Sequence, residues 1–175
     1  MERLYSKIVG MPVFAPDSPR PIHTVEDLVF DPVNGKIIAF VVGRGLMIAP
    51  MDVLSLKHGV LIRDRGDVVE IEDVLRVRDV VDGGKWIVGK RVFTLEGKAL
   101  GKVVDTAVDD LTLVLSKIYT ARVFLGILQS DARVIPANRI VEVLADRIVV
   151  KDDSGFSFDE VAEKEVERGT VGAVV

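Results

Sequence analysis

The sequence predicts a mainly β protein made of two small β-barrels in tandem, finished by a short C-terminal α-helix. Three observations carry that expectation. Blocks of sequence recur in the same order in the two halves of the chain. Aliphatic runs of strand length alternate with turn signals throughout. One stretch near the C-terminus has the capping pattern of a helix.

The repeat comes first, because internal self-similarity decides the architecture. VGMPVF (9–14) matches VGKRVF (88–93), and TVEDLVFD (24–31) matches KVVDTAVD (102–109). GKIIAFVV (35–42) then matches SKIYTARVF (116–124), IAPMDVLSL (48–56) matches VIPANRIVEV (134–143), and HGVLIRD (58–64) matches ADRIVVKD (145–152). The spacing drifts but the order never breaks. The copies span residues 1–80 and 85–175, joined through Asp82-Gly83-Gly84, the clearest loop signal in the chain. Trp86, the only tryptophan, lies just beyond and is expected to pack between the barrels or over one end of the second.

Within each copy Val, Ile and Leu dominate short runs, as strands require. Asn34-Gly35 reads as a two-residue type I′ hairpin, since that pair tolerates positive φ. Lys57-His58-Gly59 and Ala145-Asp146 also separate apolar runs and read as hairpin turns. Pro50 and Pro136 end strands, because proline removes a ladder donor. The residues after them, MDVL and ANRI, suit one helical turn. Closure of five or six such strands would remove exposed sheet edges. In FSFDEVAEKEVERG (156–169), Ser157 and Glu160 form a capping box, Phe156 and Val161 a hydrophobic staple, and Gly169 a C-cap. A helix is expected over about 158–168, docked on the second barrel. The related EIEDVLRV (70–77) reads as strand or helix.

Apolar residues make up 49% of the 175, enough for a real core. A net charge of −4 lacks the basic footprint of a general nucleic-acid binder. With no cysteine, disulfides, thiolate metal sites and cysteine nucleophiles are excluded. The N-terminus lacks a signal pattern, and no apolar run reaches the ~18 residues of a membrane span. The expectation is a soluble, cytoplasmic protein.

VGKRVFTLEGKALGKVVDTAVDD, with its Gly-x-x-Val opening, glycine turn and Gly-Lys-Val followed by an aspartate, resembles the start of a PRC-barrel domain. VIPANRIVEVLADRIVV resembles that family's Ile-Pro motif and closing hairpin. The first copy keeps Gly10, Val13, Val25, Asp27, Asn34-Gly35 and Ala49-Pro50, but has APDSPRPIH (15–23) where the glycine turn belongs. The second copy lacks the Asn-Gly turn in DDLTLVLSK (109–117). The resemblance implies two small, strongly bent barrels. The family includes the cytoplasmic domain of the photosynthetic reaction-centre H subunit and the C-terminal domain of a ribosome-maturation factor. Its stand-alone archaeal members are linked to cell division as adaptors. The common theme is binding to another macromolecule.

The residues nominate no reaction. Asp27 and Asp31 recur as Asp105 and Asp109, and duplication favours a duty in the fold over one in catalysis. His23 falls opposite Gly101, and His58 has no ligand-like companion. No nucleophile elbow and no P-loop is present. No catalytic residue, metal ligand or cofactor is therefore expected, and the protein is read as a non-enzyme. Arg63, Arg65, Arg76 and Arg78, spaced by two, would pair on strand faces within a mixed-charge edge; RNA binding is the sharper alternative for them. The second copy carries FLGILQSDAR (124–133) where the first has only VGRGLM (42–47). Leu125, Ile127 and Leu128 are accordingly the candidate partner-binding residues. The apolar tail TVGAVV (170–175) suits an edge strand, in this chain or a partner. The leading expectation is a protein-interaction adaptor, in cell division or another assembly, with a protein partner and self-association as an option. An RNA- or ribosome-associated factor and a small-ligand-binding barrel are the alternatives.

Overall fold

The computed structural model describes residues 1–124, 127–128, 132–152 and 156–157. The expected C-terminal helix over 158–168, the tail 170–175 and Leu125 lie outside them. The chain opens with strand β1 (Glu2–Leu4) and one helical turn, α1 (Tyr5–Ile8). The first repeat follows as β2 (Pro12–Phe14), β3 (His23–Thr24), β4 (Asp27–Phe30), β5 (Ile37–Gly43), β6 (Leu46–Ile48), β7 (Val53–Ser55), β8 (Val60–Ile62) and β9 (Val68–Glu70). Helix α2 (Leu75–Asp82) leads into the second repeat. There the strands are β10 (Arg91–Thr94), β11 (Ala99–Asp109), β12 (Leu115–Ala121), β13 (Val123–Phe124), β14 (Ile127–Leu128), β15 (Arg133–Pro136), β16 (Ile140–Val143), β17 (Arg147–Val150) and β18 (Phe156–Ser157).

The pairing pattern is the same in both halves. In the first, β2 runs antiparallel to β3 and parallel to β8, β8 pairs β7, and β4, β5, β6 and β9 form an antiparallel series. In the second, β10 runs antiparallel to β11 and parallel to β17, β17 pairs β16, and β11, β12, β15 and β18 form the matching series. β3 and β4 thus correspond to one long strand, β11, in the second copy. That difference makes two four-stranded sheets in the first repeat and one continuous run of seven strands in the second, which β1 extends to an eight-stranded sheet. Its cause is local. At Gly101 the backbone has φ +104, and a Cβ there would lie 2.4 Å from the Ala121 carbonyl oxygen. Only glycine lets β11 cross so close to β12. The first repeat has His23 at this place, and its strand stops at Thr24.

The expectation of closed barrels needs correction. The strands curl, helped by register shifts at Val92/Phe93, Val103/Asp105 and Ala107/Val108, but among the described residues no hydrogen bonds join the two ends of any sheet. What closes instead is the core. One cluster of buried apolar side chains runs through both repeats, from Ile8, Val13, Phe40, Ile48 and Ile62 to Val92, Leu100, Ile118, Ile135 and Ile148. Behind the first repeat's β4–β5–β6–β9 sheet lies a second cluster of Val29, Ala39, Val41, Met47 and Ile71. Val77 and Val80 of α2 cover it, with Trp86 packed alongside. The unbroken apolar run of β5 is explained by these two clusters, one on each face. The ambiguous stretch 70–77 resolves as a 3-10 turn (Ile71–Asp73) entering α2. The proline turns also form, as 3-10 turns at Pro50–Asp52 and Ala137–Arg139.

The repeats meet about a local two-fold axis. Lys36 pairs antiparallel with Val114. Each is the fifth residue after its own turn aspartate, Asp31 or Asp109. The Ile37 N–H donates to the Leu113 carbonyl and the Leu115 N–H to the Gly35 carbonyl, both at 2.8 Å. Antiparallel pairing of equivalent positions is the signature of an isologous contact. The N-terminus breaks the symmetry. β1 adds to β11, and Arg3 bonds both carboxylate oxygens of Asp110 and the Leu56 carbonyl. The equivalent groove on the other side has Pro32 in place of Asp110. It stays open as a cleft of about 390 Å3 bounded by Val33, Ile140 and Val141.

Gly101→Ala is expected to destabilise the protein by about 3 kcal/mol or more, whereas His23→Ala shifts stability by less than about 1 kcal/mol. Chemical denaturation of the two variants measures the difference.

Candidate functional site

The acidic residues are at work in the fold. The Asp31 carboxylate accepts the N–H groups of Val33 (2.7 Å) and Asn34 (3.3 Å), and the Asp109 carboxylate those of Leu111 (3.0 Å) and Thr112 (2.9 Å). The loop framework is also shared. Asp31 and Asp109 donate their own N–H to the carbonyls of Lys36 and Val114, and accept from Gly35 and Leu113. The turn is therefore wider than a two-residue type I′ hairpin. Gly35 has positive φ (+69) and Asn34 does not; Leu113 takes the same conformation at +54. The aspartate, satisfying two loop donors, sets the turn in both copies, so the second copy makes it without Asn-Gly. Arg76 of α2 caps the other Asp31 oxygen. Burial pushes the Asp31 carboxyl up, but the Val33 and Asn34 donors and Arg76 outweigh it and hold it below the usual carboxylate range.

Asp27 and Asp105 flank α1. The Tyr5 hydroxyl donates to Asp27 at 2.8 Å, and the Ser6 hydroxyl and N–H donate to Asp105 at 2.6 and 3.1 Å. Each aspartate also accepts the next N–H in its strand, from Leu28 and Thr106. This one helical turn ties the repeats together through a matched pair of carboxylates. Burial raises the Asp27 carboxyl above its usual range despite the two hydrogen bonds it accepts. Burial and then the Asp27 contact push the Tyr5 hydroxyl well above its own.

The second repeat holds a polar cavity of about 550 Å3 between the linker, β10, β11 and the β16–β17 turn. Lys90, buried, anchors its wall. Its ammonium donates to the carbonyls of Gly84, Leu144 (2.6 Å) and Ala145 (3.1 Å). Burial, reinforced by Lys85, lowers its pKa, while Asp146 works the other way. Trp86, Phe93, Arg91, Lys102 and Arg147 also line the space. Arg147 bonds Asp146 (2.7 Å) and sits 5.4 Å from the Phe93 ring centre. Trp86 thus lies where the sequence placed it, at the border of the repeats, but it also walls a cavity that no motif announced.

The expected partner-binding residues Ile127 and Leu128 form β14, which among the described residues pairs only with β13, in a two-stranded sheet separate from the eight-stranded one. The arginine group is not brought together as strand pairs. Arg76 and Arg78 sit on α2, Arg65 bonds Asp17 (2.6 Å), and Arg76 bonds Asp31. A spacing of two puts side chains on one face of a strand but not of a helix, so Arg76 and Arg78 do not pair on α2. Among the described residues no group of three or more His, Asp or Glu is placed to hold a metal, and no helix is long and apolar enough to cross a membrane. No protein-family model matches the chain, and neither does any curated protein.

Asp27→Asn keeps an acceptor for Tyr5 and Leu28 while removing the buried charge. A carboxyl whose folded pKa is raised penalises the fold at pH values above it, and the penalty disappears as pH falls through it. The variant is expected to melt roughly 2–4 °C higher than the parent near pH 8, with the gain gone near pH 3. Thermal melts across that range test the sign.

Proposed function

We propose that the protein is a non-enzymatic protein-interaction adaptor built from two PRC-barrel-like modules in an open, strongly bent form. The recurrence of one strand-pairing scheme on both sides of the 82–84 linker supports the tandem reading, as does the proline motif leading into a 3-10 turn in each copy. Register adds to it. Ser157 pairs Arg133 as Glu70 pairs Leu46, and FDEV (158–161) then follows as IEDV (71–74) does before α2. That match favours the expected short C-terminal helix over about 158–168, its first turn in the place of the 3-10 turn Ile71–Asp73 and the rest in the place of α2.

The observation that carries the adaptor reading is the β13–β14 hairpin. Where β5 and β6 of the first repeat are joined through Arg44-Gly45, the second repeat inserts an apolar hairpin whose described strands pair with each other and not with the main sheet. The fold is complete without it, as the first repeat demonstrates. Apolar sequence added outside a finished sheet suits a contact with another protein. The filled interiors and the engagement of the four repeated aspartates in turns and α1 contacts favour recognition over catalysis.

A photoreactive residue at Leu128, introduced in the native cell, is expected to crosslink one reproducible protein. Ile127→Asp with Leu128→Asp is expected to reduce its capture at least ~10-fold, the scale of a lost interface anchor, with an unchanged melting temperature. Recovery of ribosomal RNA alone, or undiminished capture by the double variant, overturns the reading.

A further inference from the structure

The cavity of the second repeat has an internal control, because the first repeat builds the same strands. Arg91 pairs Arg147 on one side and Lys102 on the other, so three cations stand side by side on β17, β10 and β11. Neighbouring strands are about 4.8 Å apart, and like charges directly opposite one another are destabilising. The fold does not require them. Val13 and Val60 of the first repeat, paired as Val92 and Ile148 are, have Pro12 and Gly59 just before them, and Pro12 pairs Thr24. The counterparts of Arg91, Arg147 and Lys102 are therefore uncharged. Lys90 likewise replaces Met11, and Trp86 replaces Lys7, while Phe93 and Phe14 are common to both copies.

The residues that make the cavity basic and aromatic are thus those in which it departs from its own duplicate. Four lining cations face one carboxylate, Asp146, in a chain whose net charge is −4. Lys90 is saturated by three carbonyls and Arg147 is paired with Asp146, so these two rigidify the site. Arg91 and Lys102 are exposed and have no partner among the described residues. A volume of about 550 Å3 suits a small-molecule ligand. Aromatic walls beside unpaired cations fit a ligand with a flat π-face and a phosphate.

We propose that this cavity binds a nucleotide, its phosphates on the Arg91–Lys102–Arg147 row and its base against Trp86 or Phe93. The nucleotide comes either free or as one residue of single-stranded RNA. This inference does not rest on the adaptor reading.

The chain's single tryptophan provides the readout. The full-length protein is titrated with ATP, with a penta-adenylate RNA and with inorganic pyrophosphate, following Trp86 fluorescence. Saturable quenching by ATP assigns the free nucleotide, and quenching by the oligonucleotide alone assigns the RNA; either supports the proposal. The Arg91→Ala/Lys102→Ala variant is expected to bind at least ~10-fold more weakly, as loss of charge-assisted hydrogen bonds predicts. It should melt with the parent, and Lys57→Ala should bind normally. No saturable response, pyrophosphate binding as tight as ATP, or full affinity in the double variant overturns it.

Discussion

The reciprocal hydrogen bonds between residues 35–37 and 113–115 are the constraint on which the molecule depends. They are possible because Asp31 and Asp109 hold two loops in the same shape and leave matching backbone groups pointing outward. Once the loops pair, the inner faces of the two repeats meet and their aliphatic side chains become one cluster. A repeat of this size alone would bury a smaller share of its surface. α1 then reinforces the join from the side, through Tyr5 to Asp27 and Ser6 to Asp105.

Against that symmetric frame the singular features stand out. Arg3 fills one groove beside the axis and leaves its counterpart open. The β13–β14 hairpin interrupts the second repeat alone. The cation row and Trp86 belong to the second repeat alone. The duplicated aspartates maintain the fold, whereas the hairpin and the cation row, each held once, are left for recognition.

Much of this was legible in the sequence because it depends on residues close in the chain. Strand-length aliphatic runs, the duplication and the proline turns all follow from local chemistry. The structural duty of Asp31 and Asp109 was legible too, although the turn itself was credited to Asn34-Gly35. The merging of the second repeat's strands into one sheet was not legible, since it hinges on how closely β11 crosses β12 at Gly101. Nor was the role of α2, because 70–77 carries no capping side chain and only burial against Val29 and Met47 selects the helix. The cavity was hidden for a different reason. Arg91, Lys102 and Arg147 are far apart in sequence and become neighbours only through strand register.

The seam has a further consequence. An isologous contact of this kind between separate chains would loosen on dilution, because its strength would depend on subunit concentration. Here the partner is tethered, so the contact is intramolecular and holds at any concentration. Covalent fusion also releases the halves from having to remain identical. A homodimer duplicates every substitution on both sides of its axis, whereas this chain can carry Leu113 opposite Gly35, or Lys90 opposite Met11. It is a dimer in architecture and a monomer in heredity, and each half is free to specialise.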